Sequence, residues 1–258
     1  MGDCKVGDIR ILITDLDDTL APSKLPIDIE MSNLIHLILN RTDMAVISGA
    51  SFMKLKAQFA DKLGCNTEKL TKLFLLPTNG TSAYLFKNNG WDKLYSEELT
   101  RSEKKQVVDA INQAIRKFEF ATPKRTFGPQ IEDRATQITF SALGQNAPIE
   151  LKRQWDPDMS KRKLIKRELE KMLPDYTIQI GGTTSLDITK KGRDKAYGIR
   201  RLMKVTGYTN KEMCFIGDKL GEGGNDYSVR TLGIKCINVR NVEETKQIMK
   251  KFIDDFHR

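Results

Sequence analysis

A Rossmann-like, doubly wound parallel α/β core interrupted by an inserted α+β domain, an antiparallel sheet plus helices, is the fold this sequence predicts. Three observations predict it. Short β-branched apolar runs alternate with amphipathic helical patterns at both ends of the chain, and several of those runs stop at Gly, Ser or Asp. The middle third departs from this, with alternating strand-like segments around longer helical stretches. Alternation of strand and helix implies a parallel sheet covered on both faces, whereas grouped alternating strands imply an antiparallel sheet with helices on one side.

The first run, Ile9 to Thr14, is short and bounded by polar residues, so it reads as a buried parallel strand. Leu34, Ile35 and Ile38 then mark a helix, and Met44 to Ile47 reads as a strand ending at Ser48-Gly49. Phe52, Leu55, Phe59 and Leu63 mark the next helix, and Leu73 to Leu76 a strand ending at Asn79-Gly80. The insert is expected over residues 82–186, between core segments 1–81 and 187–258. Its strand-like segments are Ala83 to Phe86, Gln137 to Phe140, Thr177 to Ile180 and Ser185 to Ile188. Thr100-x-x-Glu103 has the form of a capping box, and Val107, Ile111, Ala114, Ile115 and Phe118 give the helix behind it an apolar stripe. Core patterning resumes with the helical face Ala196, Ile199, Leu202 and Met203. Met213 to Ile216 is a strand running into Gly217-Asp218, Ile234 to Val239 another, and Val242 to Phe256 a closing helix. Two junctions at comparable positions suit a hinged lid.

Composition excludes several classes. With 258 residues and 39% hydrophobic content the chain can bury one sizeable core carrying a smaller insert. No apolar run has the length of a spanning helix and no basic-then-apolar leader opens the chain, so a cytoplasmic protein without a membrane partner is expected. Cys4, Cys65, Cys214 and Cys236 are widely spaced without a CxxC pair, which points to free thiols, buried in the case of Cys214 and Cys236. The net charge of +9 raises the question of nucleic acid. Residues 82–186 hold 18 Lys+Arg against 14 Asp+Glu, a share of +4 that leaves +5 for the remainder, so the charge is spread over both parts. The densest basic stretch, Lys161 to Arg167, overlaps a helical pattern of Ile165, Leu169 and Met172 and reads as a solvated helix face. No nucleic-acid partner is expected, although a basic binding module without catalysis is the competing reading from another class. Exposed apolar strands in the insert would suit a homodimer formed through it.

The chemistry gathers at predicted strand ends. Asp15 and Asp17 leave the first strand at i, i+2, so their side chains can converge in the crevice where open α/β sheets bind ligands. Ser48 and the Gly49 amide end the second strand and are placed to receive a phosphate oxygen. Lys191-Gly192 precedes a helix, where a lysine would balance gathered negative charge. Gly217-Asp218 opens a Gly-rich loop that closes on Asn225-Asp226. Hard oxygen donors on separate strands suit Mg2+, with Asp15, Asp218 and the Asp17 carbonyl as expected ligands. A carboxylate can also attack phosphorus, which makes Asp15 the nucleophile. Asp17 would then protonate the leaving oxygen and activate water, a role that needs a raised pKa. His36, inside a helical pattern, and His257, at the tail, read as packing or surface residues.

Asp15-x-Asp17-x-Thr19, Ser48, Lys191 and Gly217-Asp218…Asn225-Asp226, in this order, resemble the four motifs of the haloacid dehalogenase superfamily of phosphohydrolases. The insert between the second and third motifs is similar to that superfamily's type-two cap domain, subclass IIB. The resemblance covers nearly the whole chain. It implies phosphate contacts from Thr19, Ser48, Gly49 and Asn225, and a metal carboxylate at Asp226. Within the subclass, Gly181-Gly182-Thr183-Thr184-Ser185-Leu186-Asp187, Lys191-Gly192-Arg193-Asp194-Lys195 and Gly217-Asp218-Lys219…Gly223-Gly224-Asn225-Asp226 resemble segments of the eukaryotic-type phosphomannomutases. That likeness gives Arg134 the role of a substrate-gripping cap arginine, and gives Ser185 and Asp187 contacts to a sugar or its phosphate. Three positions depart from it: Gln145 and Lys152 stand where the mutase pattern has arginines, and Asp18 stands where its opening motif has glycine. A mutase must hold a bisphosphorylated sugar in two orientations, and arginine forks provide a bidentate grip that glutamine and lysine do not. The sequence therefore predicts a Mg2+-dependent phosphohydrolase of a small phosphorylated substrate, a sugar phosphate foremost, with a phosphosugar mutase as the alternative.

Overall fold

The structure, a computed structural model, describes residues 8–119, 123 and 125–255. Cys4, His257 and Phe256, the last being the expected end of the closing helix, lie outside the described residues. The chain forms two compact units, one made of residues up to Ser96 and from Asp194 onward, the other of Glu97–Arg193. The first part runs β1 (Ile11–Thr14), α1 (Ile29–Leu39), β2 (Asp43–Ile47), α2 (Phe52–Gln58), the single turn α3 (Thr67–Leu70), β3 (Leu73–Leu76), β4 (Ser82–Lys87) and β5 (Gly90–Ser96). The second unit contains α4 (Arg101–Lys117), β6 (Ile131–Asp133), β7 (Ile138–Ser141), α5 (Ile149–Trp155), α6 (Ser160–Met172), β8 (Tyr176–Gly181) and β9 (Ser185–Lys190). The chain then returns to the first unit through α7 (Lys195–Thr206), β10 (Met213–Gly217), β11 (Lys235–Asn238) and α8 (Val242–Asp255).

The first unit is the predicted doubly wound sheet, in the order β11-β10-β1-β2-β3-β4-β5. Its first five strands are mutually parallel. Strand periodicity sends alternate side chains to opposite faces. Leu12, Met44 and Val46 join one apolar cluster with residues of α1 and α8, while Ile11, Ile13, Ala45 and Ile47 join another with Ile199 and Leu202 of α7. In register, Thr14 lies beside Ile216 on one side and Val46 on the other, so β1, β2 and β10 end at the same sheet edge. α7 packs directly on the turn Thr78–Gly80. A Cβ on Gly198 would sit 2.5 Å from the Asn79 carbonyl oxygen and 2.7 Å from Gly80 Cα, so only glycine permits this approach.

The expected insert boundaries are corrected at both ends. Ala83 to Phe86 falls in β4, which pairs antiparallel with β3 in the first sheet, and β5 continues that sheet as its edge. Asn88 and Asn89, both at positive φ (52° and 60°), make the tight reversal between them. Period-2 alternation announces a strand but not the sheet it joins. At the other end, β9 belongs wholly to the second sheet, across the expected boundary at 186/187.

The second unit is an antiparallel sheet, β6-β7-β9-β8, with α4 and α6 packed on one face. Val107, Ile111 and Ala114 of α4 and Ile165 and Leu169 of α6 meet Ile138, Phe140, Ile178, Leu186 and Ile188. Thr100 caps α4 in the predicted capping box. The basic stretch on α6 is not wholly a solvated face: Arg162 is buried, its Nε donating to Asp156 Oδ2 (2.7 Å) and its Nη1 to the Gly182 carbonyl (2.6 Å). Among the described residues no helix is long and apolar enough to cross a membrane. Cys65, Cys214 and Cys236 are free thiols, Cys214 buried and Cys236 half-buried.

Candidate active site

Parallel register brings three loops to one edge of the first sheet. The Asp15 N–H donates to the Ile216 carbonyl (3.0 Å), so the ladder runs one residue past β1 and fixes the first carboxylate. Asp15 Oδ1 accepts from the Leu16 N–H (2.7 Å) and from Lys195 Nζ (2.8 Å). The same ammonium lies 2.6 Å from Asp226 Oδ1, while Asp226 Oδ2 accepts from the Lys219 N–H (3.1 Å). Gly217 allows this, because a Cβ there would lie 2.5 Å from Asp226 Oδ2. All three side chains are at most 5% exposed.

Burial pushes the Asp15 carboxyl up to about 7, Lys195 pulling it down and Asp226 pushing it up again. For Lys195 burial acts downward, but Asp15 and then Asp226 outweigh it and hold the amine above its ordinary value. The shared outcome is a firmly protonated lysine between two carboxylates that are costly to ionise together. Asp15, Asp218 and Asp226 each offer a carboxylate oxygen, all within 4.8 Å of one another. Asp218 Oδ1 is buried without a hydrogen-bond partner, while Oδ2 accepts from Lys219 Nζ. A buried oxygen of this kind, in an all-oxygen donor set, fits a hard divalent cation.

The remaining core residues take varied positions. Asp17 is half-buried and its side chain stands outside this carboxylate group, with Oδ1 accepting from the Lys24 N–H (2.7 Å). Thr19 is buried and its Oγ1 has no hydrogen-bond partner. Ser48 is buried, its Oγ accepting from the Ala50 N–H (3.1 Å) above Gly49. Asn225 is exposed. His36 is half-buried on α1, away from this carboxylate group, its Nε2 2.7 Å from the Leu63 carbonyl oxygen.

Within the second unit, the sheet face away from α4 and α6 is polar, and the predicted cap residues form two groupings there and at its edge. Arg134, only 9% exposed, donates from Nη2 to Glu132 Oε2 (2.8 Å), and its Nη1 lies 3.8 Å from Asp187 Oδ1. Asp187 Oδ1 also accepts from Thr139 Oγ1 (2.7 Å). The other grouping joins two of the three departures from the mutase pattern, Lys152 Nζ donating to the Gln145 carbonyl (2.9 Å). Ser185 lies opposite Ser141 in the β7–β9 ladder.

The profile of the eukaryotic phosphomannomutase family matches residues 31–255. The chain belongs to that family. It is 25% identical over 253 residues to the phosphomannomutase of Saccharomyces cerevisiae, covering 95% of this chain and 94% of the yeast protein. Human phosphomannomutase 1 is 24% identical over 253 residues, covering 93% and 92%. Two solved structures share the fold. A haloacid dehalogenase-like hydrolase from Bacteroides thetaiotaomicron has a TM-score of 0.67 at 16% identity and covers 94% of this chain and 99% of its own. Plasmodium falciparum IMP-nucleotidase has a TM-score of 0.69 at 16% identity, covering 95% and 61%.

In this phosphomannomutase-family chain the lysine beside Asp15 is Lys195, not Lys191. Lys191 follows β9 in the second unit, is exposed, and donates its backbone N–H to the Asp175 carbonyl (2.9 Å). Lys195 is the first residue of α7, whose N-cap Asp194 accepts from the Tyr197 N–H (2.8 Å). A cation is disfavoured at a helix N-terminus, so two buried carboxylates must hold it there. The signal was present in the sequence: Asp194 is a good N-cap residue, and Lys195 rather than Lys191 directly follows it.

Proposed function

We propose that this chain is a Mg2+-dependent phosphohydrolase acting on a small sugar phosphate through an aspartyl phosphate on Asp15. Leu16 and Lys195 orient Asp15 through Oδ1, which leaves Oδ2 to attack phosphorus. As the P–O bond to the sugar breaks, Asp17 gives its proton to the departing oxygen. It then takes a proton from the water that attacks the phosphoryl group, freeing inorganic phosphate and restoring the Asp15 carboxylate. Asp226 positions Lys195, and Thr19 and Ser48 supply hydroxyls at the same sheet edge. Bound Mg2+, on the donors of Asp15, Asp218 and the Asp17 carbonyl, would neutralise phosphoryl oxygen charge.

The observation that carries transfer to water rather than back to a sugar is the state of Arg134. Its guanidinium is already matched by Glu132 and faces Asp187, and neither Gln145 nor the Gln145-bound Lys152 restores an arginine fork. Arginine forks at positions 145 and 152, which a distal phosphate would engage in the mutase pattern, are thus not available here. The family match favours the second reading, a phosphosugar mutase. Mannose 1-phosphate with Mg2+, with and without a hexose bisphosphate, separates them. Release of free phosphate is expected, and bisphosphate-dependent formation of the 6-phosphate would overturn the hydrolytic assignment.

A further inference from the structure

Asp18 occupies a position that the mutase opening motif fills with glycine, and it does so at φ 60°, in the left-handed region. Its N–H donates to the Ala21 carbonyl (2.7 Å) and its Oδ1 accepts from the Ser23 N–H (3.0 Å), bonds that hold the turn. Oδ2 points elsewhere, 3.8 Å from Lys219 Nζ. That ammonium is bound to Asp218 Oδ2, the one carboxylate of the site whose other oxygen is buried and unpartnered. Lys219 and a divalent cation therefore compete for Asp218. An ammonium pulled away from Asp218 needs another anion, and Asp18, as exposed as Lys219 itself, is within reach of a small rotation.

We propose that Asp18 is a positioning residue that receives Lys219 when Asp218 turns to a divalent cation, and so tunes cation affinity at the site. The inference rests on the Mg2+ reading above. It predicts coupling between Asp18 and Lys219, because the benefit of Asp18 is delivered through the lysine and not by direct ligation.

The test is a double-mutant cycle on the full chain, with Mg2+ affinity read by titration calorimetry without substrate. Asp18→Asn keeps both turn bonds and tolerates the left-handed backbone while removing the charge. Exposed ion pairs of this kind are worth a few-fold in an equilibrium, so Asp18→Asn is expected to weaken Mg2+ binding by about threefold. Lys219→Met removes the competitor and is expected to tighten binding. In the Lys219→Met background, Asp18→Asn should then change Kd by less than half as much on a logarithmic scale. Equal fold-changes in both backgrounds would overturn the proposal and leave the metal reading standing, since Asp18 would then act only through its own field. Absence of Mg2+ binding by the unsubstituted chain at millimolar concentration would overturn the metal reading, and this inference with it.

Discussion

Replacing Lys195 by Met is the most exacting perturbation of the site. Asp15, Lys195 and Asp226 carry a formal charge of −1 together, and all three side chains are essentially excluded from water. Without the ammonium, two buried carboxylates face each other. Breaking a buried pair by removing one partner costs about 3–5 kcal/mol, and about 2–4 °C of Tm accompanies each kcal/mol in a domain of this size, so a loss on the order of 10 °C is expected at pH 8. The sign of the pH dependence follows from Asp15. Its folded value, raised to about 7 from 3.8, means that its neutral form is favoured by folding. That contribution is fully present below the unfolded value and is lost as pH rises through the folded one. Lys195→Met removes the influence that pulls Asp15 down, so the variant ionises its carboxylates at still greater cost. The deficit against the unsubstituted chain should therefore already be present near pH 5.5, where Asp226 has lost its buried cation, and widen toward pH 8 as Asp15 ionises. Differential scanning calorimetry over that range checks it, together with phosphate release, which should collapse in Lys195→Met and persist in Lys191→Met. An unchanged Tm at pH 8 would refute the idea that Lys195 compensates buried negative charge, and a deficit that fails to widen with pH would remove Asp15 from that account.

Three other outcomes follow from the same geometry. Asp15→Asn should abolish turnover, whereas Asp17→Asn should still form phosphoenzyme from a substrate with a good leaving group, detectable by rapid-quench labelling. Lys246 of α8, 5% exposed, is held by Asp28, Glu30 and Glu243 at 2.7–2.9 Å. Burial acts upward on Asp28, but the Lys246 hydrogen bond, the Met31 N–H and the Lys246 charge together outweigh it, and hydrogen bonds from Lys250 and Lys246 likewise hold Glu30 below its ordinary value. Stability from these depressed carboxyls is present above their unfolded values and lost as pH falls through the folded ones. Lys246→Met should therefore lower Tm at pH 6 and converge with the unsubstituted chain toward pH 3. Gly198→Ala forces a Cβ against the Asn79 carbonyl and should cost about 1–3 kcal/mol by urea denaturation. A neutral result would mean that α7 shifts freely on the turn beneath it.

Much of this architecture is legible in the residues because parallel strands leave a one-dimensional trace. An apolar run that stops at Asp, Ser or Gly marks a sheet edge, and Asp15, Ser48 and Asp218 all lie at such stops. What the sequence withholds is pairing partner and depth. β4 reads as a strand from alternation alone, but its choice of β3 over the second sheet is settled by the reversal at Thr78–Gly80, which folds it back on its immediate predecessor and which alternation does not show. Lysine in a helical pattern ordinarily reads as solvated, and only the convergence of Asp15 and Asp226 makes the burial of Lys195 tolerable. Arg162 reads as solvated for the same reason, its partner Asp156 lying before the helix and Gly182 in a separate hairpin.

The place of β1 in the sheet has a consequence for synthesis. β1 lies between β2 and β10, and β10 emerges only in the last fifth of the chain. As the polypeptide leaves the ribosome, β1 can pair with β2 at once, but its other edge exposes ladder groups until the entire second unit has been made. That open edge is apolar and β-branched, the composition most prone to adopt a foreign strand. A nascent chain stalled before Met213 therefore carries Asp15 but lacks Lys195 in its final setting, Asp218 and the strand that shields β1. Catalytic competence and protection from misassembly arrive together, with the same late segment.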